Sequence, residues 1–176
     1  MKKSSLMCAV LALTLTAALS AAKTPKLAAQ AQLQDGLGKA VGTAKLKQTS
    51  TGVKISLQVF GLPVGTHAFH IHNSGVCEAP DFKTAGGHFN PESKKHGLKN
   101  PDGPHAGDMP NIKVGANGKG KATVLNTRVT LAEGVNSVFH EGGTALVVHE
   151  KADDEMTDPA GNAGARIACG VIEKAK

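Results

Sequence analysis

Between Gly52 and Phe60, Val53, Ile55, Leu57 and Val59 alternate with Lys54, Ser56 and Gln58. A period of two sets the aliphatic side chains on one face and the polar ones on the other, which suits a half-buried strand and no helix. Leu27, Ala29, Ala31 and Leu33 alternate with Gln30, Gln32 and Gln34 in the same way. Ala40–Lys47, Lys121–Arg128, Thr144–His149 and Arg166–Ile172 read as further strands, with Ala116-Asn117-Gly118-Lys119 as the turn before the second of these. Short strands between Gly-rich turns, with no long amphipathic helix, predict an all-β antiparallel sandwich or barrel.

Residues 1–22 stand outside this pattern. Lys2 and Lys3, the apolar run Leu6–Leu19 and the small residues Ser20-Ala21-Ala22 read as a signal peptide cleaved after Ala22, with Cys8 lost alongside it. The run is too short and wrongly flanked for a membrane span, so the chain is expected to be exported, to a periplasm or outside the cell, without stable membrane association. Residues 23–176 then form one domain. Without Lys2 and Lys3 the domain carries 18 basic and 14 acidic residues. That mild excess can favour anionic partners. Nucleic acid is excluded by the lack of Trp and Tyr and by lysines too scattered to form a basic motif. Cys77 and Cys169, the two cysteines left in an exported chain, read first as one disulfide closing about ninety residues, worth at most ~4–5 kcal/mol.

Asn73–Pro110 and Glu150–Ala165 are too long and too rich in Gly and Pro for hairpin turns, and such loops tend to be functional. Five of the eight histidines, His70, His72, His88, His96 and His105, fall between His70 and Asp108, and neutral imidazole at that density suits a divalent transition metal. On a strand, His70 and His72 project from one face about 6.6–6.8 Å apart. His67, at an odd offset, belongs to the opposite face as a buried, hydrogen-bonded ring. His96, His105 and Asp108, with His88, make a closed tetrahedral shell suited to structural zinc. His70, His72 and His149 then form a three-nitrogen set, one ligand short of near-planar copper coordination. A His88 ring shared between two cations would complete both sets. The spacing allows this arrangement without compelling it.

The stretches GTHAFHIH, GGHFNP, the histidine run ending PHAGDMPN, ALVVHEKADD and GNAGARIACGVI cover most of Val53–Ile172. On these the chain resembles the copper/zinc superoxide dismutases, specifically the exported bacterial kind. The resemblance implies a Greek-key β-barrel of eight strands with two long functional loops. It implies copper on His70, His72, His88 and His149, and zinc on His88, His96, His105 and Asp108. Arg166 would sit beside the copper and hold the superoxide anion, and Cys77–Cys169 would be the family disulfide. Asp153 would bridge His70 to His96 and fix their orientation. In the implied cycle, superoxide reduces Cu(II) and leaves as dioxygen, while His88 releases copper and takes a proton. A second superoxide reoxidises copper and leaves as hydrogen peroxide. The implied role is protection of the cell envelope by a monomer or homodimer.

Two features depart from the eukaryotic members. Cys77 comes only five residues after His72, so the eukaryotic dimer interface is not carried over. The segment between His149 and Arg166 holds Lys151 but no later lysine, so it is not expected to supply a steering charge. Lys94-Lys95 reads as a solvated loop face, and His140 as a solvated turn residue. The alternative in another class is an exported copper or zinc store or chaperone, which would need the ligands but not Arg166.

Overall fold

The computed structural model describes residues 27–175, and the expected signal segment 1–22 lies outside them. The strands are β1 (Ala28–Gln34), β2 (Ala40–Thr49), β3 (Gly52–Val59), β4 (Gly65–His67), β5 (Phe69–His72), β6 (Ile112–Val114), β7 (Gly120–Asn126), β8 (Ala145–His149), β9 (Arg166–Val171) and β10 (Glu173–Lys174). Their neighbour order is β4-β6-β7-β3-β2-β1-β9-β8-β5, with β10 beside β1, and the ladders between strands are antiparallel.

The two ends of this order, β4 and β5, are one strand interrupted only at Ala68. Its first half pairs with β6 and its second with β8, so the sheet closes on itself. Backbone bonding continues through the break, from Ala68 N to Lys151 O at 2.8 Å and from His149 N to Ala68 O at 2.9 Å. With β4–β5 taken as one strand and β10 as an appendage to β1, this is the eight-stranded barrel expected. From β3 the chain passes over two positions to β4, and β6 and β7 then fill back in beside β3, a Greek-key connection.

The alternation read from the sequence sets the core. Val53, Ile55 and Leu57 of β3 point inward and are at most 1% exposed, joined there by Leu33, Leu46, Ile112 and Leu146. Strands β5 and β8 behave differently, because both of their faces are covered. Leu146 and Val148 enter the barrel core, whereas Ala145 and Val147 pack outward against Phe82, Ala85 and Cys169. That is why ALVVH is continuously apolar rather than alternating. The space between barrel wall and loops is where the histidines collect.

Three details differ from the sequence expectation. Strand β6 has three residues and β10 two, too short for a periodic signal. The connection from β7 to β8, residues 127–144, is a third long loop, held by a parallel bridge between Thr130 and Ser137. A short 3-10 turn, Lys83–Ala85, lies within the first loop.

Candidate metal centre

Phe69 and Ile71 fill the barrel core, so strand alternation turns His70 and His72 outward beneath the loops. Each ring has one nitrogen tied down and the other left over. His70 Nε2 meets Asp153 Oδ2 at 2.8 Å, which leaves Nδ1 buried with no hydrogen-bond partner. His72 Nδ1 donates to the Gly86 carbonyl at 2.9 Å, which leaves its Nε2 3.3 Å from His149 Nε2. An isolated bridge with His72 brings His88 alongside β5, and its Nε2 is likewise buried and unpartnered. These four rings offer nitrogens within 4.8 Å of one another. Buried imidazole nitrogens without a protein partner, gathered at one point, fit a cation better than any internal hydrogen-bond scheme.

The other nitrogen of His88 belongs to a second group. His88 Nδ1 lies 2.9 Å from Asp108 Oδ1, and His96 Nδ1 lies 3.1 Å from the same oxygen. His105 Nδ1 is 3.4 Å from that oxygen and 3.5 Å from His88 Nδ1. A tetrahedral ion with bonds of ~2.0–2.1 Å has ligand–ligand edges of about 3.3 Å. The four separations bracket that value, so the donor set fits zinc in size as well as in chemistry. The second carboxylate oxygen of Asp108 is occupied, accepting from Gly97 N at 2.9 Å and His105 N at 3.0 Å.

Arg166, the first residue of β9, reaches across to the first loop. Its guanidinium donates to the Phe82 carbonyl at 2.5 Å and to the Gly86 carbonyl at 2.6 Å. That loop is tied to β9 a second time by the disulfide between Cys77 and Cys169, whose Cα atoms are 5.7 Å apart. A pocket of about 540 Å³ opens over the group, with His72, His88, His149 and Arg166 among its lining.

Residues 40–172 match the family described as copper/zinc superoxide dismutase. The chain belongs to the copper/zinc superoxide dismutase family. Cu-Zn superoxide dismutase 2 of Aquifex aeolicus is 55% identical over 156 residues, 88% of this chain and 91% of that one. A superoxide dismutase-like protein of Bacillus subtilis is 44% identical over 144 residues, 80% of this chain and 74% of that one. A crystal structure of a double mutant of a superoxide dismutase-like protein from Bacillus subtilis, with one Tyr and one Pro changed to His, superposes with a TM-score of 0.78 at 45% identity. It covers 81% of this chain and 95% of that one.

Copper and zinc are the cofactors of the family, and both donor groups are braced from outside, by Asp153 as expected and by several residues that the sequence did not signal. Asp153 is the shared brace, accepting from His70 Nε2 at 2.8 Å and His96 Nε2 at 3.0 Å. Asn111 fixes the backbone of Asp153 from both sides, its Oδ1 accepting from Asp153 N at 2.8 Å and its Nδ2 donating to Asp153 O at 2.9 Å. Gly161 has φ +62°, and a Cβ there would fall 2.7 Å from His96 Nε2 and inside contact distance of Asp153 Oδ1. Only glycine fits. Behind the second group, Arg128 donates to the carbonyls of His105 and Asp108 at 3.2 and 2.6 Å, and Asn126 to that of Ala106 at 2.8 Å. A lone Arg or Asn in a strand or turn carries no sign of a partner some twenty residues away.

Other expected residues fall as follows. His67 is buried, with its ring nitrogens 2.9 Å from the His149 and Pro63 carbonyls, and it takes no part in either donor group. His140 corrects the solvated reading. It is half-buried, and its ring stacks on Phe89 with centroids 5.2 Å apart and planes 5° from parallel. Lys94 and Lys95 are exposed on the loop face as expected, and both also line the pocket. Lys95 pairs with Asp158 at 3.2 Å and so joins the first loop to the 150–165 loop.

Burial sets the protonation of the metal-free centre. It pushes His88 and His149 down to about 4, against the pull of Asp108 on His88 and with repulsion from His88 adding to the effect on His149. His70 and His72 are lowered for the same first reason. Burial opposes charge on His96 too, but hydrogen bonds to Asp108 and Asp153 outweigh it and raise this ring to about 9. Burial would raise Asp108 and Asp153, yet their histidine partners hold both below the usual carboxylate range. Neutral rings in the first group and an ionised Asp108 in the second are the states that bind cations, whereas His96 must give up a proton to join them.

Proposed function

We propose that this protein dismutates superoxide to dioxygen and hydrogen peroxide, with copper on His70, His72, His88 and His149 and zinc on His88, His96, His105 and Asp108. The observation that carries the reading is Arg166 on the wall of the pocket that also exposes His72, His88 and His149. Metal storage has no use for a guanidinium at that place, whereas an anionic substrate does.

Copper, when bound, supplies a one-electron couple, and zinc adds fixed charge without redox chemistry. Arg166 keeps its positive charge at any working pH and draws the anion to the pocket. Its two bonds to backbone carbonyls limit its travel, so binding the anion orders little further. His88 Nε2 is the atom suited to hold a proton and pass it on as peroxide forms, while Nδ1 keeps the ring registered on the Asp108 side. Asp153 and the Gly86 carbonyl hold His70 and His72 by their outer nitrogens and thereby select the inner nitrogen of each as the donor.

Every residue assigned to the two donor groups comes from one chain, which suits a monomer or a homodimer of independent sites. The basic start, apolar run and small-residue site of segment 1–22 support export, to a periplasm first and beyond the cell second. The disulfide suits an oxidising compartment. The role in view is defence of the cell envelope. The deciding experiment is the dismutation rate of residues 23–176 loaded with copper and zinc, expressed per bound copper. A fast rate that falls as salt rises is expected. A negligible rate with both metals fully bound would instead make the protein a metal store or chaperone.

A further inference from the structure

Three loop lysines are ion-paired: Lys83 with Asp81, Lys95 with Asp158 and Lys99 with Glu155, at 2.7–3.2 Å. The barrel wall built from β2, β3, β7 and β6 is different. Lys45, Lys47, Lys54, Lys121 and Lys113 project outward and exposed from it, and among the described residues none of them forms an ion pair. Residues 36–77 and 109–132, which supply all four strands, contain no Asp or Glu.

Strand register makes this pattern unfavourable for the isolated protein. Lys47 stands directly opposite Lys54 in the β2–β3 ladder. Val114 pairs with Gly120, so one step along the same antiparallel pairing Lys113 faces Lys121. Like charges at facing cross-strand positions destabilise a sheet. Barrel closure does not demand them, since β1 turns out Ala28, Gln30, Gln32 and Gln34, none of them charged. Two apolar side chains share the wall. Leu125, 49% exposed, lies opposite Lys54, and Phe60, 43% exposed, lines a groove with Lys119 and Lys121.

We propose that this wall docks reversibly on an anionic lipid surface, with the lysines at the headgroup phosphates and Leu125 and Phe60 at the headgroup boundary. A soluble polyanion would neutralise the lysines but leave both apolar side chains in water, so lipid is the better match. Barrel order then fixes the orientation. Strands β2 and β3 lie across the barrel from the β4–β5 strand and β8, which carry His70, His72 and His149. A protein resting on its lysine wall turns the metal pocket away from the lipid and toward diffusing anions.

The test is co-sedimentation of residues 23–176, which contain the whole closed barrel, loaded with both metals. The probes are vesicles of equimolar phosphatidylglycerol and phosphatidylcholine, and of phosphatidylcholine alone. Binding is expected only to the anionic vesicles and is expected to vanish at high salt. Lys47→Gln with Lys54→Gln should weaken it by roughly tenfold or more. The same pair should leave the dismutation rate unchanged and raise the thermal midpoint, because a repulsive pair is removed. No sedimentation with anionic vesicles at low salt, or a double variant that sediments like the parent, would overturn the proposal. So would polyphosphate binding as tight as vesicle binding, with Leu125→Ser and Phe60→Ser changing neither.

Discussion

Arg166 and His72 donate to one and the same oxygen, the Gly86 carbonyl, at 2.6 and 2.9 Å. A guanidinium on the pocket wall and a ring of the first donor group are thus registered to each other through a single backbone atom. Side-chain rotamers have little say in their separation.

Arg166→Ala should leave both metals bound and lower the rate by about a hundredfold, the scale of losing a preorganised charge at a reacting centre. Arg166→Lys should restore only part of it, because a single ammonium cannot donate to both the Phe82 and Gly86 carbonyls in the planar fork that Arg uses. Metal content by mass spectrometry and rate per copper check this together. An unchanged rate in the alanine variant would remove the arginine from the mechanism.

Asp153 braces both donor groups, so Asp153→Ala should weaken copper and zinc alike, by about ten- to a hundredfold in affinity. Gly161→Ala should reproduce the defect without replacing a ligand or the carboxylate, since the added methyl would displace Asp153 Oδ1 and crowd the His96 ring. Competition against a chelator of known affinity reads both metals. Loss of one metal with the other unaffected would show that the two groups are braced separately.

In the metal-free protein, stability should peak near pH 6.5. His88 and His149 titrate at about 4 when folded and near 6.5 when unfolded. Between those values the unfolded chain holds more protons, so their contribution is complete above 6.5 and lost as pH falls toward 4. His96, raised to about 9, acts in the opposite sense. Its contribution is complete below 6.5 and lost as pH rises toward 9. Denaturation midpoints in chelator across this range should fall on both flanks. Zinc should abolish the alkaline flank, because a coordinated His96 no longer titrates. A midpoint that climbs steadily from pH 7 to 9 without metal would refute the assignment.

Lys94 lines the pocket and, among the described residues, forms no ion pair, while Lys95 is neutralised in part by Asp158. Lys94→Gln should therefore lower the rate by a few fold at low salt and flatten its salt dependence, whereas Lys95→Gln should do less. Parallel rate-against-salt curves for the parent and the Lys94 variant would assign the attraction to Arg166 alone.

The barrel was legible wherever one face of a strand meets water. Alternation in Gly52–Phe60 predicted which side chains of β3 enter the core, and β1 and β2 followed the same rule. Alternation gave no signal in β6, which is too short, nor in β8, whose two covered faces made it legible instead as a continuous apolar run. The two donor groups were legible as candidates because histidines two apart on a strand, and a dense run of them in one loop, are unusual on physical grounds. The bracing residues were not. Asn111, Asn126 and Arg128 act through backbone atoms brought close only by the fold, and no spacing announces them. His140 was misread for the same reason, since its partner Phe89 is fifty-one residues away.

The interrupted strand that closes the barrel at Ala68 also carries His70 and His72, so the cylinder's seam runs through the first donor group. When the metals are absent, the ties holding that seam reduce to short ladders with β6 and β8 and a few bonds to the loops. Should it part, β6 and β8 would each present a row of unpaired backbone groups, the usual template for sticking to another chain. An ion held by His70 and His72 would therefore also pin the line along which an opened barrel would begin to recruit its neighbours.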